Sequence, residues 1–348
     1  MAIIRIRDIE LSEREVNGIT EYAWEAVRVY KIPVECYGEH ITNMYLIIDG
    51  EITLIDAALN TEQAMTDLLT GMATINREFG IRVGIADINH VVITHGHADH
   101  WGMLSNDKFR GKKVYVHEFD TMFMKDFGSM RVNSRGRINS LIEEAGWNLS
   151  MDNLFSLDGI VSEPQGCELI ELKEGQRIIN GYEVYHVPGH SPGHICLKVG
   201  PVLFLGDLIL SKTTPLQIPG SMLEGCGLRL YLNSLRRVGG LDRHLGLPAH
   251  EATIYSVSDR VVEMEAFHYK RLLDIIGVCA QEKSLFQITD EYYQLRPETL
   301  NGRTVADLSR DEQILALEEI KAHIEYLIDD DHMTITGVEN GVVMYRAK

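Results

Sequence analysis

The chain reads as a layered α/β protein, and three observations point there. Short β-branched runs alternate with amphipathic stretches, most of those runs stop at Gly or Pro, and the chemically distinctive residues fall just after them. In chain order, MYLIID at 44–49 and EITLIDAA at 51–58 are strands, because Ile, Leu and Tyr suit a pleated, half-buried surface. A helix follows near 61–79. HVVITH at 90–95 and KKVYVHE at 112–118 are strands again, as are YEVYHVPG at 182–189, HICLKVG at 194–200 and VLFLGDLIL at 202–210. Residues of about 105–165 carry helical patterns, EFDTMFMKDFGSM and INSLIEEAGWNL, which predict a helical insertion. From 258 the pattern turns helical through SDRVVEMEAFHYKRLLDIIGVCAQ and DEQILALEEIKAHIEYLIDD. A hairpin follows in HMTITGVENGVVMYRA, with Asn-Gly at 340–341 as its turn. These patterns divide the chain into a domain over 1–257 and a winged-helix-like module over 258–348.

Of the 348 residues, 45% are hydrophobic and 24% charged, enough apolar material for one large domain with an appendage. No apolar run reaches the roughly eighteen residues of a membrane span. The opening MAIIRIRDIELSERE turns charged within a few residues, which argues against a secretory leader. Cysteines at 36, 167, 196, 226 and 279 are odd in number and form no CxxC pair, as expected of free thiols in a reducing compartment. The cytoplasm is the expected location. A net charge of −18 favours solubility and disfavours non-specific contact with nucleic acid.

The stretch VVITHGHADHWG at 91–102 crowds His95, His97, Asp99 and His100 behind a strand. His95 and His97 lie two apart, so on extended backbone both rings face the same way. Imidazole nitrogen and carboxylate oxygen are ligands that Zn²⁺ prefers. HVPGHSPGH adds His190 and His194, LFLGDLIL brings Asp207, and LGLPAHE brings His250. Each follows a strand, where α/β folds gather their sites. Ligands from four such ends suffice for two metals that share a bridging carboxylate.

These residues resemble the metallo-β-lactamase superfamily, whose five motifs appear in order over about 20–255: Asp56 in LIDAA, H-x-H-x-D-H at 95–100, His190, Asp207 and His250. The resemblance implies an αββα sandwich, two mixed sheets face to face with the metals at their shared edge. It implies that His95, His97 and His190 hold one divalent ion, that Asp99, His100 and His250 hold a second, and that Asp207 bridges both. Zinc is the expected metal, with iron or manganese as alternatives. Asp56 is expected to orient a ligand histidine, and Asp99 also to accept a proton as the tetrahedral intermediate collapses. His194 either supports the site, touches substrate or begins the next strand. Such a centre generates a metal-bound hydroxide at neutral pH and polarises the scissile group, which makes the chain a hydrolase. Ala98 stands where the oxygen-reducing diiron flavoproteins resemble H-x-E-x-D-H. The full ligand set argues against the mononuclear-iron persulfide dioxygenases, and the bridging Asp207 against true β-lactamases.

The GHSPGH segment resembles the motif of glyoxalase II-like thioesterases, lactonases and lactamase-β-like RNA-processing enzymes. Helix 311–328 carries Asp311, Glu312, Glu318, Glu319 and Glu325 against Lys321, the wrong sign for lying on phosphates. The tail is therefore expected to be structural or to form a homodimer, without a nucleic-acid partner. Lys108, Arg110, Lys112, Lys113, Lys125, Arg131, Arg135 and Arg137 face only Glu118, Asp120 and Asp126 across 108–137. That run either attracts an anionic group, such as the phosphates of a coenzyme A thioester, or is a solvated loop of mixed charge. Met122, Phe123, Met124, Phe127 and Met130 either line an acyl pocket or pack between helices. The expected function is a thioesterase acting on an acyl-CoA or related acyl thioester. An RNA nuclease or a lactonase is the alternative within enzymes. A catalytically weak metal-containing binding or sensor protein is the alternative of another class.

Overall fold

The structure, a computed structural model, describes residues 1–38, 40–148, 160–241 and 243–348; residues 149–159 of the expected insertion lie outside them. The chain divides into two compact units, one of Met1–Phe127, Leu157–Pro215 and Ser234–Val261, the other of Gly128–Ser156, Leu216–Asn233 and Val262–Lys348. None of the described helices is long and apolar enough to cross a membrane.

The first unit holds two mixed sheets. One contains, in sequence order, β1 (Ala2–Ile6), β2 (Ile9–Val16), β3 (Ile19–Trp24), β4 (Val27–Tyr37), β5 (His40–Ile48), β6 (Ile52–Ile55), β7 (His90–Val92), β8 (Lys113–His117) and β9 (Glu168–Leu172). β1 to β6 run antiparallel and β6 to β9 parallel. The other contains β10 (Arg177–Ile178), β11 (Tyr182–His186), β12 (Ile195–Val199), β13 (Val202–Gly206) and β14 (Leu245–Pro248), antiparallel except for the last pair. Four strands thus precede residue 44, where the sequence reading places its first.

Period-two alternation sends Tyr30, Ile32, Val34 and Cys36 of β4 to one face of the first sheet and Val29 to the other. On that second face Tyr22, Tyr45, Ile47 and Val92 share a core with Val184, Leu197, Phe204 and Leu247 of the other sheet, so the sheets stack face to face. Among the described residues the α-helices are α1 (Glu62–Thr74), α2 (Ala98–Trp101), α3 (Thr121–Lys125), α4 (Phe127–Ala145), α5 (Leu228–Gly239), α6 (Val257–Val278), α7 (Leu285–Leu295) and α8 (Arg310–Asp329). The Thr61 hydroxyl accepts the Ala64 N–H at 3.0 Å and starts α1. Ala64, Leu68 and Met72, at helical spacing, bury against the outer face of the first sheet. Gly71 permits this contact, because a Cβ there would lie 2.5 Å from Ile32 Cγ2. The outer face of the second sheet meets α6 in the same way: a Cβ on Gly246 would lie 2.8 Å from Leu205 and 2.9 Å from Val257. The layers run helix, sheet, sheet, helix, the expected αββα order.

Of the stretch 105–165, residues 113–117 form β8 inside the first sheet, while α3 and α4 cover 121–125 and 127–145. Three of its basic residues already have partners. Arg110 pairs with Asp107, Lys112 donates to the carbonyls of Ala86 and Ile88, and Lys125 pairs with Glu171. Met124 and Met130 are buried packing residues, while Met122 is 49% exposed.

In the second unit α6 is followed by β15 (Lys283–Ser284), α7, α8, β16 (Met333–Glu339) and β17 (Val342–Ala347), and the three strands form an antiparallel sheet in the order β15-β17-β16. Asn340 and Gly341 both take positive φ, 52° and 89°, as a tight hairpin turn requires. Ser309 and Glu312 form a capping box that opens α8. The acidic residues of this helix do not all face solvent. Glu318 and Glu319 are buried, and Glu319 pairs with Arg271 while accepting the Gln217 N–H at 2.8 Å. Lys321 pairs with Glu144 and donates to the Tyr345 hydroxyl at 2.8 Å.

Candidate metal centre

Loops behind β6, β7, β11, β13 and β14 converge in the first unit. Asp56, just after β6, has a left-handed backbone, φ 60°, and its N–H donates to the Val92 carbonyl at 2.9 Å. Its buried carboxylate accepts the Thr94 N–H at 2.8 Å, the Thr94 hydroxyl at 2.9 Å and the His100 Nδ1–H at 3.0 Å. In the neutral ring, that last bond selects the tautomer whose Nε2 carries the lone pair. Behind β13, Gly206 has φ 52°, and a Cβ there would lie 2.7 Å from His194 Nε2 and 2.9 Å from Thr94 Cβ. Glycine lets the chain turn there and aim the Asp207 N–H at His194 Nε2, 2.9 Å away.

The predicted donor atoms meet around Asp207. Its Oδ2 lies 3.9 Å from His95 Nε2, 3.6 Å from His100 Nε2 and 3.6 Å from His190 Nε2, and its Oδ1 lies 3.3 Å from His250 Nε2. Asp99 Oδ2 lies 3.5 Å from both His100 Nε2 and His250 Nε2. His95, His97, His190 and Asp207 bring one ligand atom each within 4.8 Å of one another, and so do His100, Asp207 and His250. Asp207 belongs to both groups. His100 Nε2 and Asp207 Oδ1 are buried without a hydrogen-bond partner among the described residues. Buried polar atoms are ordinarily satisfied. Orphaned nitrogen and oxygen donors converging in one place fit a divalent cation.

The electrostatics follow from burial set against the two carboxylates. Burial pushes His95 well below the ordinary imidazole range and His97 down to about 3, with His190 beside it adding to the effect. Burial works the same way on His100 and His250, but the carboxylates win. Asp99 and Asp207 hold His100 well above its usual range, and Asp207 first of all raises His250 to about 9. Asp99 and Asp207 stay far below the carboxylate range despite burial, because His100 and His250 face them. His95 and His97 thus offer bare lone pairs at neutral pH, whereas a cation at His100 and His250 displaces protons.

His194 is fully buried, stacks on His95 with ring centroids 4.9 Å apart and holds the Asp207 amide, so it has no surface for substrate. Sequence reasoning passed over His40. Its Nε2 lies 2.8 Å from Asp99 Oδ2, its ring is 4.5 Å from that of His250, and it stacks on the exposed Tyr37 at 4.8 Å. No motif surrounds it; only the pairing of β4 with β5 brings it there. A further buried cluster, His268, Glu319 and His323, lies in the second unit, where Arg271 already occupies Glu319.

The chain is similar to known proteins in both sequence and fold. The family model described as metallo-beta-lactamase superfamily matches residues 37–250. A Bacillus subtilis (strain 168) protein named probable metallo-hydrolase YqjP is 30% identical over 226 residues, covering 62% of this chain and 68% of its own. An atrochrysone carboxyl ACP thioesterase of Cryptosporiopsis sp. (strain 8999) is 22% identical over 245 residues, 70% of this chain and 59% of its own. Among solved structures, a metallo-beta-lactamase family protein from Thermus thermophilus superposes with a TM-score of 0.72 at 23% identity, covering 92% of this chain and 98% of its own.

Proposed function

Since the chain belongs to the metallo-beta-lactamase superfamily, we propose that it is a dinuclear hydrolase of acyl thioesters, with an acyl-CoA or related carrier thioester as substrate. The observation that carries this reading is the membership of Asp207 in both donor clusters, so that one carboxylate is within reach of two candidate ion sites. The thioester is supported by the relative named as an ACP thioesterase and by GHSPGH at 189–194.

In this reading His95, His97 and His190 would hold one ion and Asp99, His100 and His250 the other, with Asp207 available to both. Zinc suits the mixture of imidazole and carboxylate, and metal analysis distinguishes it from iron or manganese. Bound ions supply Lewis acidity and a water acidified toward neutral pH. Asp99 Oδ2 accepts the proton of the attacking water and returns it to the leaving sulfur as the C–S bond breaks. His40 Nε2, 2.8 Å from that oxygen, holds the Asp99 carboxylate in place. Asp56 orients His100 through Nδ1, and His194 fixes the direction of Asp207 through its amide.

The assay is release of free thiol from a chain-length panel of acyl-CoA esters by metal-loaded protein, with a lactone and single-stranded RNA as comparison substrates. Thiol release abolished by His97→Ala supports the reading. Cleavage of RNA or lactone without thiol release replaces the substrate class. Metal retained with no turnover of any ester points to a binding or sensor role. For the tail, the order α6-β15-α7-α8-β16-β17 supports a winged-helix-like module of structural or dimer-forming role; the protein's mass in solution tests the latter.

A further inference from the structure

Asp120 stands between β8 and α3, outside every motif discussed so far, and is 0% exposed. Its Oδ2 accepts the Gly96 N–H at 2.6 Å and the Ser191 hydroxyl at 2.7 Å, and its Oδ1 accepts the Gly193 N–H at 2.6 Å. These donors come from the ligand loops themselves. Gly96 sits between His95 and His97, Ser191 follows His190, and Gly193 precedes His194. One carboxylate ties the loop carrying two candidate ligands to the loop carrying the third. The closeness of that tie explains a glycine: a Cβ on Gly193 would fall 2.7 Å from both Asp120 Cγ and the Asp120 amide nitrogen.

Burying a carboxylate is costly unless donors replace its lost water. Here two main-chain amides and one hydroxyl do so, and burial still pushes the carboxyl up to about 6. A residue that merely filled space would not need a charge. Asp56 offers a contrast, since it contacts an imidazole directly and serves His100. Asp120 makes no hydrogen bond to an imidazole ring among the described residues and instead holds two backbone amides and the Ser191 hydroxyl.

We propose that Asp120 is a positioning residue for one of the two metal positions: it sets His95, His97 and His190 as a group, while Asp56 sets His100 for the other. This rests on the dinuclear reading above. Residues that orient metal ligands typically change affinity or activity by about 10- to 100-fold when removed.

The test uses full-length protein stripped of metal and titrated with Zn²⁺ against a chromophoric chelator, for the wild type, Asp120→Asn, Asp56→Asn and the double variant. The wild type is expected to bind two zinc ions. Asp120→Asn is expected to weaken one of them by about 10- to 100-fold and to spare the other. Asp56→Asn should weaken the one that Asp120→Asn spares, and the double variant both. Cobalt loading gives a second readout: visible ligand-field bands should change in Asp120→Asn while far-UV circular dichroism of the metal-free protein does not. Two unchanged zinc affinities in folded Asp120→Asn overturn the proposal alone. A wild type that binds no zinc overturns the dinuclear reading and the proposal with it. Should Asp120→Asn fail to fold, Ser191→Ala decides: the same selective weakening supports the proposal, and unchanged affinities overturn it.

Discussion

Glu318 builds a pH dependence into the second unit. Its residue is 7% exposed on α8, and burial pushes the carboxyl up to about 7, against the downward pull of Arg137. Unfolded, the same group titrates near 4.5. Between those values the folded chain binds more protons than the unfolded one, so the stability this group contributes is complete below about pH 4.5 and is lost as pH rises through about 7. A gap of about 2.5 in pKa, at about 1.36 kcal/mol per unit, amounts to about 3 kcal/mol. Glu318→Gln keeps the shape and removes the charge. It is expected to match the wild type at about pH 4 and to exceed it by up to about 3 kcal/mol at about pH 8.5. Urea unfolding at the two pH values measures this, and subtracting variant from wild type cancels the remaining titrating groups. A difference that does not change with pH, or that favours the wild type at the higher pH, refutes the reasoning.

Chelation offers a direct check on the metal centre: zinc at about 100 times its dissociation constant should add about 2.7 kcal/mol per site, and a melting temperature indifferent to zinc and chelator alike counts against it. His40→Ala should leave the metal content at the wild-type level and lower kcat by about tenfold with KM nearly unchanged, because Asp99 loses a partner at 2.8 Å; steady-state kinetics beside metal analysis separates this from metal loss. Gly206→Ala meets His194 Nε2 at 2.7 Å with φ 52°, and is expected to lose about 1–3 kcal/mol by denaturant unfolding, together with bound metal. Leu68→Ala, fully buried under α1, should lose about 2–5 kcal/mol by the same measurement.

What the sequence showed and what it hid divide along one physical line. His95, His97, Asp99 and His100 are legible because they are neighbours in the chain, and Asp56, His190, Asp207 and His250 because each follows an apolar run. His40 and Asp120 gave no such signal. Their partners lie 59 and up to 73 residues away, and only strand pairing and the stacking of the two sheets bring them together. In a count of charges Asp120 is one acid beside a basic run, whereas in space it is buried. The early strands escape notice because β2, IELSEREV, is mostly polar or charged and reads as such; of its eight residues Leu11 alone is buried. Helix α8 misleads for the opposite reason. Glu318, Glu319, Lys321 and His323 look like a solvated face, yet all four are buried, and nothing in a one-dimensional pattern distinguishes a buried polar network from a wet one.

The order of strands in the two sheets also sets a timetable for the newborn chain. β1 to β9 pair each with the next, so the first sheet can zip up from its beginning as it emerges. His95, His97 and His100 are translated early, His190 and Asp207 only after β11 and β13, and His250 after β14, the last strand of the second sheet. A chain still short of residue 250 therefore lacks one of the seven proposed ligands. A ribosome-bound fragment offers any passing cation an incomplete set of the proposed donors, and that set is complete once the sandwich has closed.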